Sequence, residues 1–323
     1  MSESRRIYSI DVFRGFTIAL MILVNNPGSW GYVYAPLKHA QWHGCTPTDL
    51  VFPFFLFLVG ASMRFAFVKW HYYPSIKFYK HIFWRSFSIF LAGILLNAYP
   101  FIRQDWDFST LRIMGVLQRI ALAYGISAIL IIKYDFKQLI KILMSILLFY
   151  WGLLWIGSIS DPYSLTDNII RKFDIFIFNK SHLYHGFYDS SGTKIAFDPE
   201  GLLSTIPSIA TVLIGYLMGG MIHTTKNYSD CSKRMSIFGF SLIIISLLWG
   251  IILPINKALW TSSYVLYTGG IATIILAGLT YIIDNKHIKK PFWFFEVFGT
   301  NSIFLFIISG LWVKTIIYVK LNF

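Results

Sequence analysis

Nine stretches of mostly apolar residues recur along this 323-residue chain, near 8–26, 48–68, 82–100, 111–132, 138–158, 202–222, 236–254, 262–284 and 293–319. Each has roughly the 17 to 25 residues a helix needs to cross a bilayer. In hydrocarbon every backbone N–H and C=O must be bonded within the chain, which leaves helices as the economical solution for such segments. The pattern therefore predicts an all-α fold, a polytopic transmembrane helical bundle of about nine spans (nine to ten). Composition agrees: 56% of residues are hydrophobic, 19% aromatic and only 13% charged, where soluble domains carry about 25% charged residues. With 30 Phe, 19 Tyr and 11 Trp the chain is not disordered. No heptad or Gly-X-Y repeat supports a coiled coil or collagen. Cys45 and Cys231 stand far apart without a CxxC pattern, so neither a disulfide framework nor a zinc site is expected.

The net charge of +13, from 28 Lys+Arg against 15 Asp+Glu, does not require a nucleic-acid partner. In a membrane protein the basic excess belongs on cytoplasmic loops facing anionic lipid. With the N-terminus and every second loop placed inside, those segments hold about 15 of the 28 cations, from Arg5 and Arg6 through Lys69 and Lys133 to Lys289 and Lys290. Short loops on the other side hold only Lys38, Arg103 and Lys257. The N-terminus is thus expected in the cytoplasm. The first span carries Asp11 and Arg14 and lacks a small-x-small cleavage pattern, so it is expected to be retained. Two connections, 27–47 and 160–202, are then exported and long enough to carry function.

The second span has the best-marked start. Thr46-Pro47-Thr48-Asp49 supplies a cap, a proline in the first turn and an acid at the third position, and Arg64 and Lys69 close the far end. Ionisable groups inside spans need a partner or a purpose. Asp11 and Arg14, three apart, suit either a local ion pair or a polar cavity. Arg119, beside Gln118, has no local acid and is expected to face a cavity. His39 and His43 precede the second span, where an imidazole suits a proton acceptor near neutral pH, although loop histidines are more often plain surface residues. Asp49 can orient such a histidine, and its capping position explains it equally well. No GxSxG, Walker loop, HExxH or Rossmann glycine pattern occurs. Gly60, Gly93, Gly125, Gly215, Gly219 and Gly220 read as close helix contacts.

Several motifs together resemble the heparan-alpha-glucosaminide N-acetyltransferase family and its bacterial transmembrane acyltransferase relatives. They are Asp11-Val12-Phe13-Arg14-Gly15, Val24-Asn25, Lys38-His39-Ala40 with Trp42, and Asp49-Leu50-Val51-Phe52-Pro53, followed by Gly115-Val116-Leu117-Gln118-Arg119, His182-Leu183-Tyr184, Asp198-Pro199-Glu200-Gly201 and Asn301-Ser302. Their order and spread from first helix to last make the resemblance specific. It implies that residues 1–323 form a single transmembrane acyltransferase domain. Such a domain takes acetyl-CoA as co-substrate from the cytoplasm and N-acetylates a glucosamine-like amino sugar on the periplasmic side, with no metal. His39 matches the family's catalytic histidine, either as base or as transient acyl acceptor, and His43 does not match. Asn25 accompanies it as a donor to the thioester carbonyl or oxyanion, with Asp49 as its orienting acid. For the coenzyme the expected residues are Arg14 and Arg119, with Asn301 and Ser302 from the last motif and Arg64 and Arg85 as weaker candidates. Asp198 and Glu200 fall where the acceptor approaches. Membrane lipid and a second copy of the chain, as in homodimeric relatives, are the expected partners. The expected placement is a bacterial inner (cytoplasmic) membrane, without the lysosome or heparan sulfate of animal members. Relatives generally continue through one more helix after the Asn-Ser motif, which is expected to be dispensable or supplied by a partner. The alternatives are a solute carrier without chemistry and an O-acyltransferase of an envelope glycan or lipid. An inverted repeat, which would favour a carrier, is not seen.

Overall fold

The computed structural model describes residues 7–68, 75–101, 107–158, 160–189 and 191–318. Arg5, Arg6, Lys69, Arg103 and Lys320, which entered the charge count, lie outside the described residues. The elements are α1 (Tyr8–Asn25), α2 (Val51–Ala66), α3 (Ile76–Ala98), α4 (Val116–Lys133), α5 (Phe136–Ile156), α6 (Ile169–Phe178), α7 (Thr205–Thr224), α8 (Tyr228–Trp249), α9 (Ser262–Leu279), α10 (Trp293–Thr300) and α11 (Ser302–Tyr318). A two-stranded antiparallel hairpin, β1 (Phe187–Tyr188) with β2 (Lys194–Ile195), is the only sheet among the described residues. Among the described residues eight helices are long and apolar enough to cross a membrane, and a bent pair brings the number to nine, so the chain is an all-α polytopic bundle.

α7 occupies the centre. It is buried on every side, as expected for a helix that is apolar all round. α2 lies along it at backbone contact: a Cβ on Gly60 would sit 1.8 Å from the Val212 carbonyl oxygen, and one on Gly215 would sit 1.8 Å from that of Phe57. Helices in lipid gain no hydrophobic drive toward each other, so this close approach of small residues supplies the packing. Gly60→Ala is accordingly expected to destabilise the bundle by about 1–3 kcal/mol or more, read as a lower melting temperature in detergent. α3, α5 and α8 are the least buried of the long helices. α5 buries Leu139, Leu143, Leu147, Tyr150 and Leu154 in one stripe and exposes Phe136, Ile140, Met144 and Leu148 on another.

Expected spans shift at their ends, most at 236–254, which is the helix Tyr228–Trp249, and two others differ for reasons their contacts give. The stretch 111–132 becomes a helix only at Val116, because Asn97 Nδ2 donates to the carbonyls of Arg112 (2.9 Å) and Met114 (3.2 Å) and holds that segment extended. The stretch 293–319 is two helices rather than one, bent by 73° between Thr300 and Ser302. Gly299 and Asn301 are poor helix formers, and Arg14 Nη1 takes the Gly299 carbonyl at 2.9 Å. Gly15 and Gly299 let α10 lie on α1, since a Cβ on either would strike the other helix's backbone within 2 Å. α9 widens at its end into a π-helical turn over Thr280–Asn285.

Both long connections lie on one face, at the C-terminus of α1 and the N-terminus of α7. They share a small core of Tyr150, Leu154, Ile170, Phe197, Leu203 and Leu259. Trp42 joins them: its Nε1 donates to the Tyr163 carbonyl at 2.7 Å and its ring meets Phe187 and Phe197 edge-on.

Candidate functional site

The turn before α2 builds the centre of the site. Pro47–Leu50 is a 3-10 turn that begins on a capping box between Thr46 and Asp49. Asp49, 1% exposed, divides its two oxygens between two tasks. Oδ2 accepts from the backbone N–H of Thr46 and of Ala40, both at 3.0 Å, which closes the cap and fixes the 38–46 segment. Oδ1 lies 2.6 Å from His39 Nδ1. A carboxylate engaged in this way only accepts, so the proton sits on His39 Nδ1 and the Nε2 lone pair is left for chemistry. Capping and orientation, alternatives in the sequence, are two edges of one carboxylate.

Lys257, on the α8–α9 connection, completes the group with Nζ 3.3 Å from Asp49 Oδ1 and 3.1 Å from His39 Nδ1. Since Nδ1 already carries a proton, the ammonium donates to the carboxylate. Its loop is fastened by Gly44 N–H to the Ile255 carbonyl (2.7 Å) and by Asn256 Oδ1 accepting from Leu259 N–H (2.8 Å). Cys45 is adjacent, but burial first and Asp49 second push its thiol up to about 12, so it is no nucleophile near neutral pH.

Two cavities border this group and a third adjoins one of them. An inner one of about 370 Å³ is lined by Arg14, Phe55, Ser62, Arg85, Tyr124, Asn301 and Ser302, among others. A middle one of about 140 Å³ shares Phe55 with it and is lined by Thr17, Asn25, His39, Thr48, Glu200 and Lys257. An outer one of about 390 Å³ shares His39, Glu200 and Lys257 with the middle one and adds Trp42, Asp49, Arg112 and Tyr184. His39 stands where the middle and outer cavities join.

The outer wall rests on Arg112. Its Nε and Nη2 clasp both oxygens of Asp198 at 2.8 and 2.7 Å, and Nη2 also meets Glu200 Oε2 at 2.5 Å. Burial works against the guanidinium charge, but Asp198 and then Glu200 overcome it and hold the pKa above the usual arginine range. The guanidinium also lies 4.9 Å from the Tyr184 ring centre.

Residues 6–246, well over half of the chain, match the family profile described as heparan-alpha-glucosaminide N-acetyltransferase, catalytic. The chain belongs to this family. Two relatives bear that name, from Homo sapiens and Mus musculus, each 28% identical to the chain. The alignments cover 94% of the chain and 52% of the human protein, and 95% of the chain and 53% of the mouse protein. The chain thus spans about half the length of these relatives.

Within this heparan-alpha-glucosaminide N-acetyltransferase family member, the structure gathers most of the expected residues. His39, Asn25, Asp49 and Glu200 line the middle or outer cavity, and Arg14, Asn301 and Ser302 line the inner one. Arg14 keeps its ion pair with Asp11 (3.3 Å) and also donates to Ser62 (2.8 Å), so the two readings of that pair combine. His43 turns to Asn256 Nδ2 at 3.3 Å and lines none of the three cavities. Two residues stand apart from the cavities. Asp198 is fully buried beneath Arg112, whose guanidinium it positions, and lines none of the three. Arg119 is 0% exposed, donates to the Gly201 carbonyl and to Ser204, stacks 4.8 Å from Trp260 and lines none of the three cavities. It braces the start of α7, and the cations facing the inner cavity are Arg14 and Arg85. Arg112 and Lys257 were missed, since their partners are 86 and 218 residues away and no local motif marks them. Among the described residues no three His, Cys, Asp or Glu are grouped to hold a metal ion.

Behind this wall Asp174 on α6 is 1% exposed, and its Oδ1 accepts from Leu202 and Leu203 N–H at 3.1 and 3.3 Å. Burial pushes its pKa up to about 7, with Asp198 adding to the shift and the Leu203 amide opposing it. A carboxyl raised in the fold favours folding when protonated, so its contribution fades as pH rises from about 4 through about 7. Asp174→Asn is expected to remove that fall and to raise the melting temperature by a few degrees at pH 8 but not at pH 4, measured by thermal scans across pH.

Proposed function

We propose that this protein is a membrane-embedded acetyltransferase that moves an acetyl group from acetyl-CoA, supplied from the cytoplasm, to the amine of a glucosamine-like sugar on the periplasmic side of a bacterial inner membrane. The single observation that carries this reading is the position of His39, oriented by Asp49, in the wall of both the outer cavity and the middle one, which in turn shares Phe55 with the inner cavity. The sidedness rests on charge. Lys133, Lys137, Lys226, Lys233, Lys286 and Lys289 cluster on the face away from the long loops, as cytoplasmic loops do.

The residues suit the donor and the acceptor in turn. Arg14 and Arg85 give the inner cavity the positive character that coenzyme phosphates need, and Arg14 is held in place by Gly299 and Ser62. The acyl end would reach Asn25 and His39 through the narrow middle cavity. The acceptor would occupy the outer cavity, where Trp42 and Tyr184 offer rings to a sugar face and Glu200 offers a carboxylate to its ammonium. One proton of that ammonium passes to water. Nε2 of His39 takes the second as the C–N bond forms and returns it to sulfur as the C–S bond breaks. Asn25 Nδ2 and Lys257 Nζ are the donors available to the carbonyl oxygen as it gains charge.

Proteoliposomes given labelled acetyl-CoA on the cytoplasmic face and glucosamine on the other are expected to form N-acetylglucosamine and release free coenzyme. Uptake of the sugar without any acyl donor would replace this reading with a carrier. An ester-linked product would replace it with an O-acyltransferase. Lys257→Met is expected to cut turnover by about 10²-fold with little change in protein yield.

A further inference from the structure

On the face opposite the long loops, α2, α4, α5 and α7 begin or end around a cavity of about 480 Å³ that shares no lining residue with the three above. Arg64, in the last turn of α2, is its central cation. Nη1 donates to the Tyr216 hydroxyl at 3.1 Å. Nε is buried without a hydrogen-bond partner, against Gly220. Arg64 makes no ion pair among the described residues, whereas Arg14 and Arg112 each meet an acid. Lys133, at the end of α4, and His223, in the last turn of α7, line the same space. The one carboxylate there, Asp135, caps α5 by accepting from Gln138 N–H at 2.9 Å. A cation held part-buried at a helix end without an acid calls for an anion from outside the chain.

The surroundings say which anion. The cavity sits where four helices terminate, the depth at which hydrocarbon gives way to headgroups. Phe136 lines it and also starts an exposed apolar stripe on α5, continued by Ile140, Met144 and Leu148, each 41–51% exposed. A phosphate attached to acyl chains matches both the cations and the stripe, while free phosphate has no use for the stripe. We infer that this cavity binds the phosphate of an anionic phospholipid through Arg64, assisted by Lys133, with the acyl chains lying along α5. The site stands whatever reaction the central cavities carry out.

The test is native mass spectrometry and thermal melting of the full-length protein in detergent with added phosphatidylglycerol, phosphatidylcholine of the same chains, inorganic phosphate, or acetyl-CoA. Phosphatidylglycerol is expected to be retained and to raise the melting temperature more than phosphatidylcholine does. Arg64→Met should weaken that binding about tenfold or more, and Lys194→Met, exposed on β2 among the long connections of the opposite face, should leave it unchanged. Should Arg64→Met not fold, the double variant Lys133→Met with His223→Gln, both exposed, carries the same comparison. Equal retention of phosphatidylglycerol by wild type and the cavity variants would overturn the proposal. So would full stabilisation by inorganic phosphate alone, or loss of acetyl-CoA binding in Arg64→Met with phosphatidylglycerol binding intact.

Discussion

His39→Ala is expected to lower acetyl transfer to glucosamine by about 10²–10⁴-fold or more while the purified protein keeps its melting temperature. The expectation rests on the geometry of one edge of the ring. Nδ1 is committed to Asp49 at 2.6 Å, so Nε2 alone is free to take the acceptor proton. The ring is half exposed into the cavities, so its removal leaves little packing to lose. His43→Ala, four residues on and outside those cavities, should retain most activity. Asp49→Asn should lose activity and also stability, because Oδ2 closes the cap of α2. Near-normal turnover in His39→Ala would remove the assigned base.

Arg112→Met is expected to be the most damaging single change in the outer wall, costing about 3–5 kcal/mol of stability along with activity. Asp198 is wholly buried and Glu200 nearly so, and both pair with this one guanidinium. Without it, two carboxylates face each other with Asp174 close behind. Arg112→Lys should rescue poorly, because an ammonium cannot reproduce the two-pronged clasp on Asp198. Adding Asp198→Asn to Arg112→Met should recover part of the melting temperature without restoring turnover. Thermal scans and product assays on the three variants check this, and an unchanged melting temperature in Arg112→Met would contradict it.

The spans were legible because crossing hydrocarbon imposes a length and an apolarity that any helix must show in its own residues. The cap at Thr46 and Asp49 was legible for the same local reason. The break at Asn301 was not, since Trp293 to Tyr318 reads as one apolar run and the kink depends on Arg14 claiming the Gly299 carbonyl from 285 residues away. Arg119 was assigned to the coenzyme because an acid-free arginine in a span suggests a cavity. Its actual partners, the Gly201 carbonyl and Ser204, are uncharged and distant in sequence. The charge count put the start of α4 on the same side as the long loops, and that is the side on which Arg119 meets the Gly201 carbonyl.

Residue identity and spacing were enough to establish a helical membrane bundle and its family likeness, because hydrophobic length and short motifs are properties of neighbouring residues. The pairing of Arg112 with Asp198 and Glu200, the arrival of Lys257 beside His39, and the placing of that ring in the wall of both the middle and the outer cavity were decided only in the folded chain. Each depends on which distant helices touch, and that is set by close packing of surfaces such as the Gly60–Gly215 contact, which no local pattern specifies.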